Sequence, residues 1–207
     1  MPFSNFKSIA DVQQRYHIVE HRRPLIHAMP VQPSASFLEL YEFDMINVDT
    51  ASEAARQETL IYPILREIFR HHADRLSLFS HRALSINGDP DLTGTPDYLV
   101  SHRSPLGRSV MGKPLIVIIE AKQDDFTGGW GQCLAELVAA QMYNDDQDTP
   151  VFGIVTNGDT WEFGLLRRTD FILDIAPFTV RNLPELLGAL DFAFRQGEIS
   201  DTCANVC

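Results

Sequence analysis

The chain is short of cysteine, of positive charge and of long hydrophobic runs. It holds three cysteines in 207 residues, and an odd count without a secretory context does not describe a disulfide framework. Cys203 and Cys207 have no matching second pair of ligands, which argues against a four-ligand zinc site. No apolar run approaches the roughly 18 residues of a membrane span, so no membrane partner is expected. Met1-Pro2-Phe3-Ser4-Asn5-Phe6-Lys7 lacks the charged-then-apolar order of a secretory signal, and the expected location is cytoplasmic. Gly-X-Ser-X-Gly and paired Cys–His arrangements are absent, which removes the common signatures of covalent catalysis. Lysine and arginine total 17 against 28 aspartates and glutamates, a formal charge of −11. Phosphate repels such a chain at long range. A free-standing tight binder of nucleic acid is disfavoured, unless a local basic patch or a protein partner brings the two together.

What is present reads as one globular domain. Hydrophobic residues make up 44% of the chain, enough for a real core. Asp11 to His21 reads as a short helix, and Phe37 to Val48 as either strand or helix. Thr50-Ala51-Ser52-Glu53 has the form of a capping box. Leu60, Ile61, Ile64, Leu65, Ile68 and Phe69 then repeat at helical spacing, which predicts a helix over about 51–72, weakened at Pro63. Strands are predicted at Arg82–Ile86, Asp97–Ser101, Leu115–Ala121, Val151–Thr156 and Thr160–Leu166, with a further one at Phe171–Ile175. Asn157-Gly158 marks a tight turn. Helices are predicted over Trp130–Tyr143 and Leu183–Phe194. The resulting class is α/β, a mixed central β-sheet flanked by helices. Residues 1–49 are expected to form an N-terminal extension packing on a core of residues 50–197, with 198–207 a loose tail.

Asp97, Glu120 and Lys122 carry the chemistry. Pro114-Leu115-Ile116-Val117-Ile118-Ile119 has the length and branching of a buried strand, and Glu120-Ala121-Lys122 ends it. Strand alternation points Glu120 and Lys122 the same way. An acid and a lysine at the end of a buried strand are costly unless paired or set on a metal. A second acid from the neighbouring strand, Asp97 in Gly94-Thr95-Pro96-Asp97-Tyr98, would complete a divalent-cation site.

Pro96-Asp97 and Glu120-Ala121-Lys122, 23 residues apart from acid to acid, resemble the two halves of the PD-(D/E)XK nuclease motif. The order of elements over residues 50–167 also resembles the restriction-endonuclease-like core, α-β-β-β-α-β-β. The stretch from Ser52 to Leu65 is similar to the first helix of the nuclease-like domain in type I restriction enzyme R subunits. The resemblance implies a Mg²⁺- or Mn²⁺-dependent endonuclease acting on nucleic acid, with DNA the expected substrate. It implies Asp97, Glu120 and the backbone carbonyl of Ala121 as metal ligands, and Lys122 as the residue that places and activates the attacking water. It further points to a glutamate on the first helix, Glu53 with Glu58 as the rival, and to Gln132 on the helix after the motif. The alternative role for Glu53 is only to close its capping box. Ile154-Val155-Thr156-Asn157-Gly158 with Trp161 is similar to the strand-turn-strand that follows, and reads as structural.

Arg103, Arg108 and Lys113 lie in an acid-free stretch between the two motif strands. They are expected near the metal as phosphate contacts, the alternative being a solvated loop. The same fold used without catalysis, binding a protein partner or a nucleic acid, is the competing reading, and a homodimer is a further expectation. Gly107-Arg108-Ser109-Val110-Met111-Gly112-Lys113-Pro114 nearly spells a phosphate-binding loop, but Pro114 replaces the needed hydroxyl and a strand follows instead of a helix. His17 and His21 have helical i, i+4 spacing without a third ligand. His71 and His72 suit a helix C-terminus. Asp124-Asp125 and Asp145-Asp146 read as solvated loop acids.

Overall fold

The computed structural model describes residues 2–27 and 29–198. The expected tail beyond Glu198, with Cys203 and Cys207, lies outside them. Strands β1 (Val19–Arg22), β2 (Leu76–Ser80), β5 (Tyr98–Arg103), β6 (Met111–Ala121), β7 (Val151–Thr156), β8 (Thr160–Arg167), β9 (Asp170–Leu173) and β10 (Phe178–Thr179) form one eight-stranded mixed sheet. Its order is β1-β9-β8-β7-β6-β5-β2, with β10 on β8. The pairs β6–β7 and β1–β9 are parallel and the others antiparallel. Two short strands, β3 (Leu84–Ser85) and β4 (Thr93–Gly94), pair separately.

A parallel pair needs a crossover. Between β6 and β7 it is the helix α5 (Phe126–Asn144), which packs on both strands. Together with α1 (Ile9–Tyr16), α5 covers one face, over Leu99, Leu115, Ile118 and Val155. The helices α2 (Ala35–Asn47), α4 (Tyr62–Phe69) and α6 (Leu183–Glu198) cover the other, over Val100, Val117, Ile119 and Phe152. Residues 115–121 are therefore buried on both faces, which is why that strand reads as a continuous apolar run. Each fully buried Leu, Ile or Val there contributes about 1.5–3 kcal/mol. Among the described residues no helix is long and apolar enough to cross a membrane.

Several local expectations are corrected. The strand beside β5 is Leu76–Ser80, not Arg82–Ile86. Its weak alternation (Leu-Ser-Leu-Phe-Ser) hid it, and only Leu84–Ser85 of the expected segment is strand. Ser52, not Thr50, caps the first core helix, its Oγ accepting from the Ala55 amide, so Glu53 is the first helical residue and closes no capping box. That helix runs as α3 (Glu53–Arg56), a π-helical turn at Gln57–Ile61, then α4. The π turn falls immediately before Pro63, whose missing N–H leaves the preceding carbonyls to be repaired by a wider turn. The helix expected from Trp130 begins at Phe126, capped by Asp125, which accepts from the Gly128 amide at 2.8 Å; Asp125 is a cap rather than a loop acid. His17 is the left-handed residue ending α1, and His21 is on β1 beside Asp170, so their helical spacing does not exist. Phe37–Val48 resolves as helix.

Candidate active site

The antiparallel register of β5 and β6 sets Tyr98 opposite Ile119 and Leu99 opposite Ile118. One step further, Asp97 faces Glu120 across the end of the pair. Alternation from Leu99 and Ile118 aims both acids at the α5 face. Glu120 is 2% exposed and Asp97 9%. Asp97 Oδ2 accepts the Ala121 amide proton at 2.7 Å, and Lys122 Nζ donates to Glu120 Oε1 at 2.7 Å. Lys122 itself is held to β7 by its amide, which donates to the Thr156 carbonyl. Gly129 on α5 makes room for its stem, since a Cβ there would lie 2.9 Å from Lys122 Cγ. The three residues singled out by motif thus lie together at the carboxyl end of β6, Lys122 bonded to Glu120 and Asp97 to the Ala121 amide.

Burial, then the charge of Asp97, pushes the Glu120 carboxyl far above the usual carboxylate range; the Lys122 charge and hydrogen bond oppose this without offsetting it. For Lys122 burial favours the neutral amine, but Glu120 and Asp97 outweigh it and the ammonium form is stabilised. Lys122 is therefore suited to orienting a water and supplying positive charge, and unsuited to removing a proton as a free amine. Glu120 Oε2 is buried and has no hydrogen-bond partner.

A fourth group stands beneath the pair. Glu136 on α5 is fully buried, and its Oε1 accepts from Gln132 Nε2 at 3.1 Å while Oε2 is unpartnered. Burial, then the charge of Glu120, drives its carboxyl strongly upward and favours the neutral form. An unpaired carboxylate in such a place would be prohibitively costly. Gln132 is accordingly turned to Glu136 rather than to Lys122. The sequence signal for Glu136 was available: it is the acid inside Cys133-Leu134-Ala135-Glu136-Leu137-Val138-Ala139-Ala140, on a helix buried nearly all round.

Glu53 is exposed at the start of α3, near enough for its charge to bear on both Glu120 and Lys122. Glu58 is exposed on the π turn and faces a cleft beside Tyr98. The expected basic patch does not assemble beside the acids. Arg103 ends β5, about six residues or roughly 20 Å along the strand from Asp97, and donates to the Ala73 carbonyl. Lys113 is at the same distant end, 2.6 Å from Asp145 and over the Tyr143 ring. Arg108 is exposed in the loop between them. A connecting loop lies at the far end of a hairpin whose acids sit at its open end, and the linear sequence hides that separation. His81 follows Leu76–Ser80, a strand whose weak alternation gives no sequence signal. Its Nε2 stands 3.6 Å from Asp97 Oδ1.

No group of three or more His, Cys, Asp or Glu side chains is arranged to hold a metal among the described residues. The donors present fit a hard cation that takes few protein ligands: two adjacent carboxylates, one of them with an orphaned buried oxygen. No protein-family model matches the chain, and no curated protein matches it.

Proposed function

We propose that the chain is a metal-dependent phosphodiesterase of the PD-(D/E)XK kind, built on a restriction-endonuclease-like core and cutting nucleic acid, DNA in the first instance. One observation carries this reading: Asp97 and Glu120 oppose each other at a strand end, with Lys122 bound to Glu120 and one buried Glu120 oxygen left over. Structural ion pairs have no use for a second, repelling acid; a cation site does. Asp97, Glu120 and the Ala121 carbonyl are the candidate ligands for Mg²⁺ or Mn²⁺. Such an ion, when bound, supplies Lewis acidity and neutralises charge on the phosphate.

The chain's own groups do the rest. The Ala121 amide fixes the Asp97 carboxylate. Lys122, kept cationic, gives up part of its hold on Glu120 to donate to an incoming water and to a phosphate oxygen. Glu53 stands at the rim, where it can order further waters.

The test is Mg²⁺- or Mn²⁺-dependent nicking of plasmid DNA by the chain and by Lys122→Ala, which should cut at least about 100-fold more slowly. Equal rates would remove the lysine from the mechanism. A second reading, a non-catalytic nucleic-acid or protein-binding module, draws on the charge of −11 and on the commitment of Lys113 to Asp145. Absence of Mn²⁺ binding by calorimetry, with no cleavage of single- or double-stranded substrates, selects it.

A further inference from the structure

A cleft of about 520 Å³ opens at the same end of the sheet, on the side of α4, lined by Glu58, Tyr62, Ser80, His81 and Tyr98. That size suits a small ligand. Tyr98 forms its floor: it is 3% exposed, and its hydroxyl donates to the Gln57 carbonyl. Tyr62 lies nearly parallel to it, 19° between planes with centroids 6.2 Å apart, and is 38% exposed. The Arg66 guanidinium sits over the Tyr62 ring at 5.9 Å. His81 stands edge-on to Tyr98 at 6.3 Å. Its φ of 49° is the left-handed region, and its amide donates to the Asp97 carbonyl. Its Nδ1 shares a hydrogen bond with Ser80 Oγ, while Nε2 reaches toward Asp97 Oδ1. One imidazole therefore joins the cleft to the acid pair.

We infer that this cleft receives an unpaired nucleobase from the strand whose phosphate lies at Asp97 and Glu120, with Tyr62 as the stacking face once the exposed Arg66 guanidinium moves off its ring. The assignment rests on the phosphodiesterase reading and deepens it. An exposed aromatic ring, an acid and an imidazole within one small cleft match the ring of a base, its exocyclic amine and the adjoining phosphate. The ring takes the base; Glu58 accepts from an exocyclic amine; His81 lies on the side of the phosphate. Glu58 accepts only, so adenine, cytosine and guanine are favoured over thymine, which carries no exocyclic amine. Base stacking on an aromatic side chain is tolerant of sequence and is lost with the ring. Glu58 thereby acquires a role other than metal ligation.

The probe is a single-stranded 12-mer carrying 2-aminopurine, titrated with Mg²⁺ present onto the full chain with Lys122→Ala to suppress cutting. Adding Tyr62→Ala should weaken binding about 5- to 100-fold and abolish the fluorescence quenching, while Tyr62→Phe keeps both. Free dAMP should displace the probe, and ribose 5-phosphate should do so much less well. Unchanged affinity and quenching in Tyr62→Ala, or equal displacement by ribose 5-phosphate, overturns the base-binding role. Cleavage by the unmodified chain is scored separately. Tyr62-dependent quenching without cleavage keeps the cleft and discards the hydrolytic reading. Cleavage with no Tyr62 dependence does the reverse, and neither binding nor cleavage discards both.

Discussion

Replacing Glu120 with glutamine should make the metal-free protein more stable above neutral pH while ending its proposed activity. Burial and Asp97 raise the Glu120 carboxyl from 4.5 to about 8. A folded-state value above the unfolded one means that the native chain binds the proton more tightly. The contribution to stability is then complete below about 4.5 and is lost as pH rises to about 8. Its slope is at most about 1.4 kcal/mol per pH unit, which sums across that window to on the order of 5 kcal/mol. The glutamine of Glu120→Gln is isosteric and carries no charge, so the variant escapes this loss. The raised value already includes the opposing Lys122 ion pair; relaxation and water entry around the charged acid temper the loss, so the net advantage of the variant at pH 8.5 is about 1–3 kcal/mol. For a domain of this size that is about 3–10 °C in Tm. Glu67, Asp146 and Asp148, whose carboxyls are pulled down, titrate below this window and are common to both proteins. The assay is urea unfolding of both proteins in EDTA from pH 5.5 to 8.5. Parallel stability curves, or a parent that gains stability as pH rises while the variant does not, would show that Glu120 is not a strained, desolvated acid and would remove the reason for seeking a cation there.

Mg²⁺ at ten times its dissociation constant should add about 1.4 kcal/mol to the stability of the parent, seen as a rise of about 3–6 °C in Tm; Asp97→Asn should abolish the rise, and an equal rise in that variant places the ion elsewhere. Glu136→Leu should leave unfolding stability unchanged or raise it by up to about 2 kcal/mol, because a neutral buried acid with one unpartnered oxygen gives way to an apolar side chain; a loss above that size by urea unfolding would show Glu136 to be a fully satisfied structural group. Gly158→Ala should cost about 1–2 kcal/mol, since φ is +93° and a Cβ would press on Leu60 at 3.1 Å; thermal unfolding reads the loss.

The local signals in the sequence were strong where one physical demand dominated. Val151–Thr156 and the turn at Asn157-Gly158 come out as read, because a short apolar run followed by a residue that tolerates positive φ has few alternatives. The run before Glu120 announced a strand buried on both faces, and the lysine two residues on could only share the acid's side. The weak alternation of Leu76–Ser80, by contrast, gave no comparable pattern. The π turn at Gln57–Ile61 is a compromise between Pro63 and a helix that must still pack Leu60, Ile64 and Leu65.

Sequence by itself determined the mixed α/β class, the buried central strand and the shared side of Glu120 and Lys122, because alternation, apolar runs and costly charges are properties of neighbours along the chain; Asp97 it offered only through a motif resemblance, and the β5–β6 register set it opposite Glu120. Tertiary structure alone decided which groups surround these three. It brought Glu136 beneath Glu120 and His81 beside Asp97, and carried Arg103 and Lys113 to the far end, because register and crossover paths join residues that no local spacing relates.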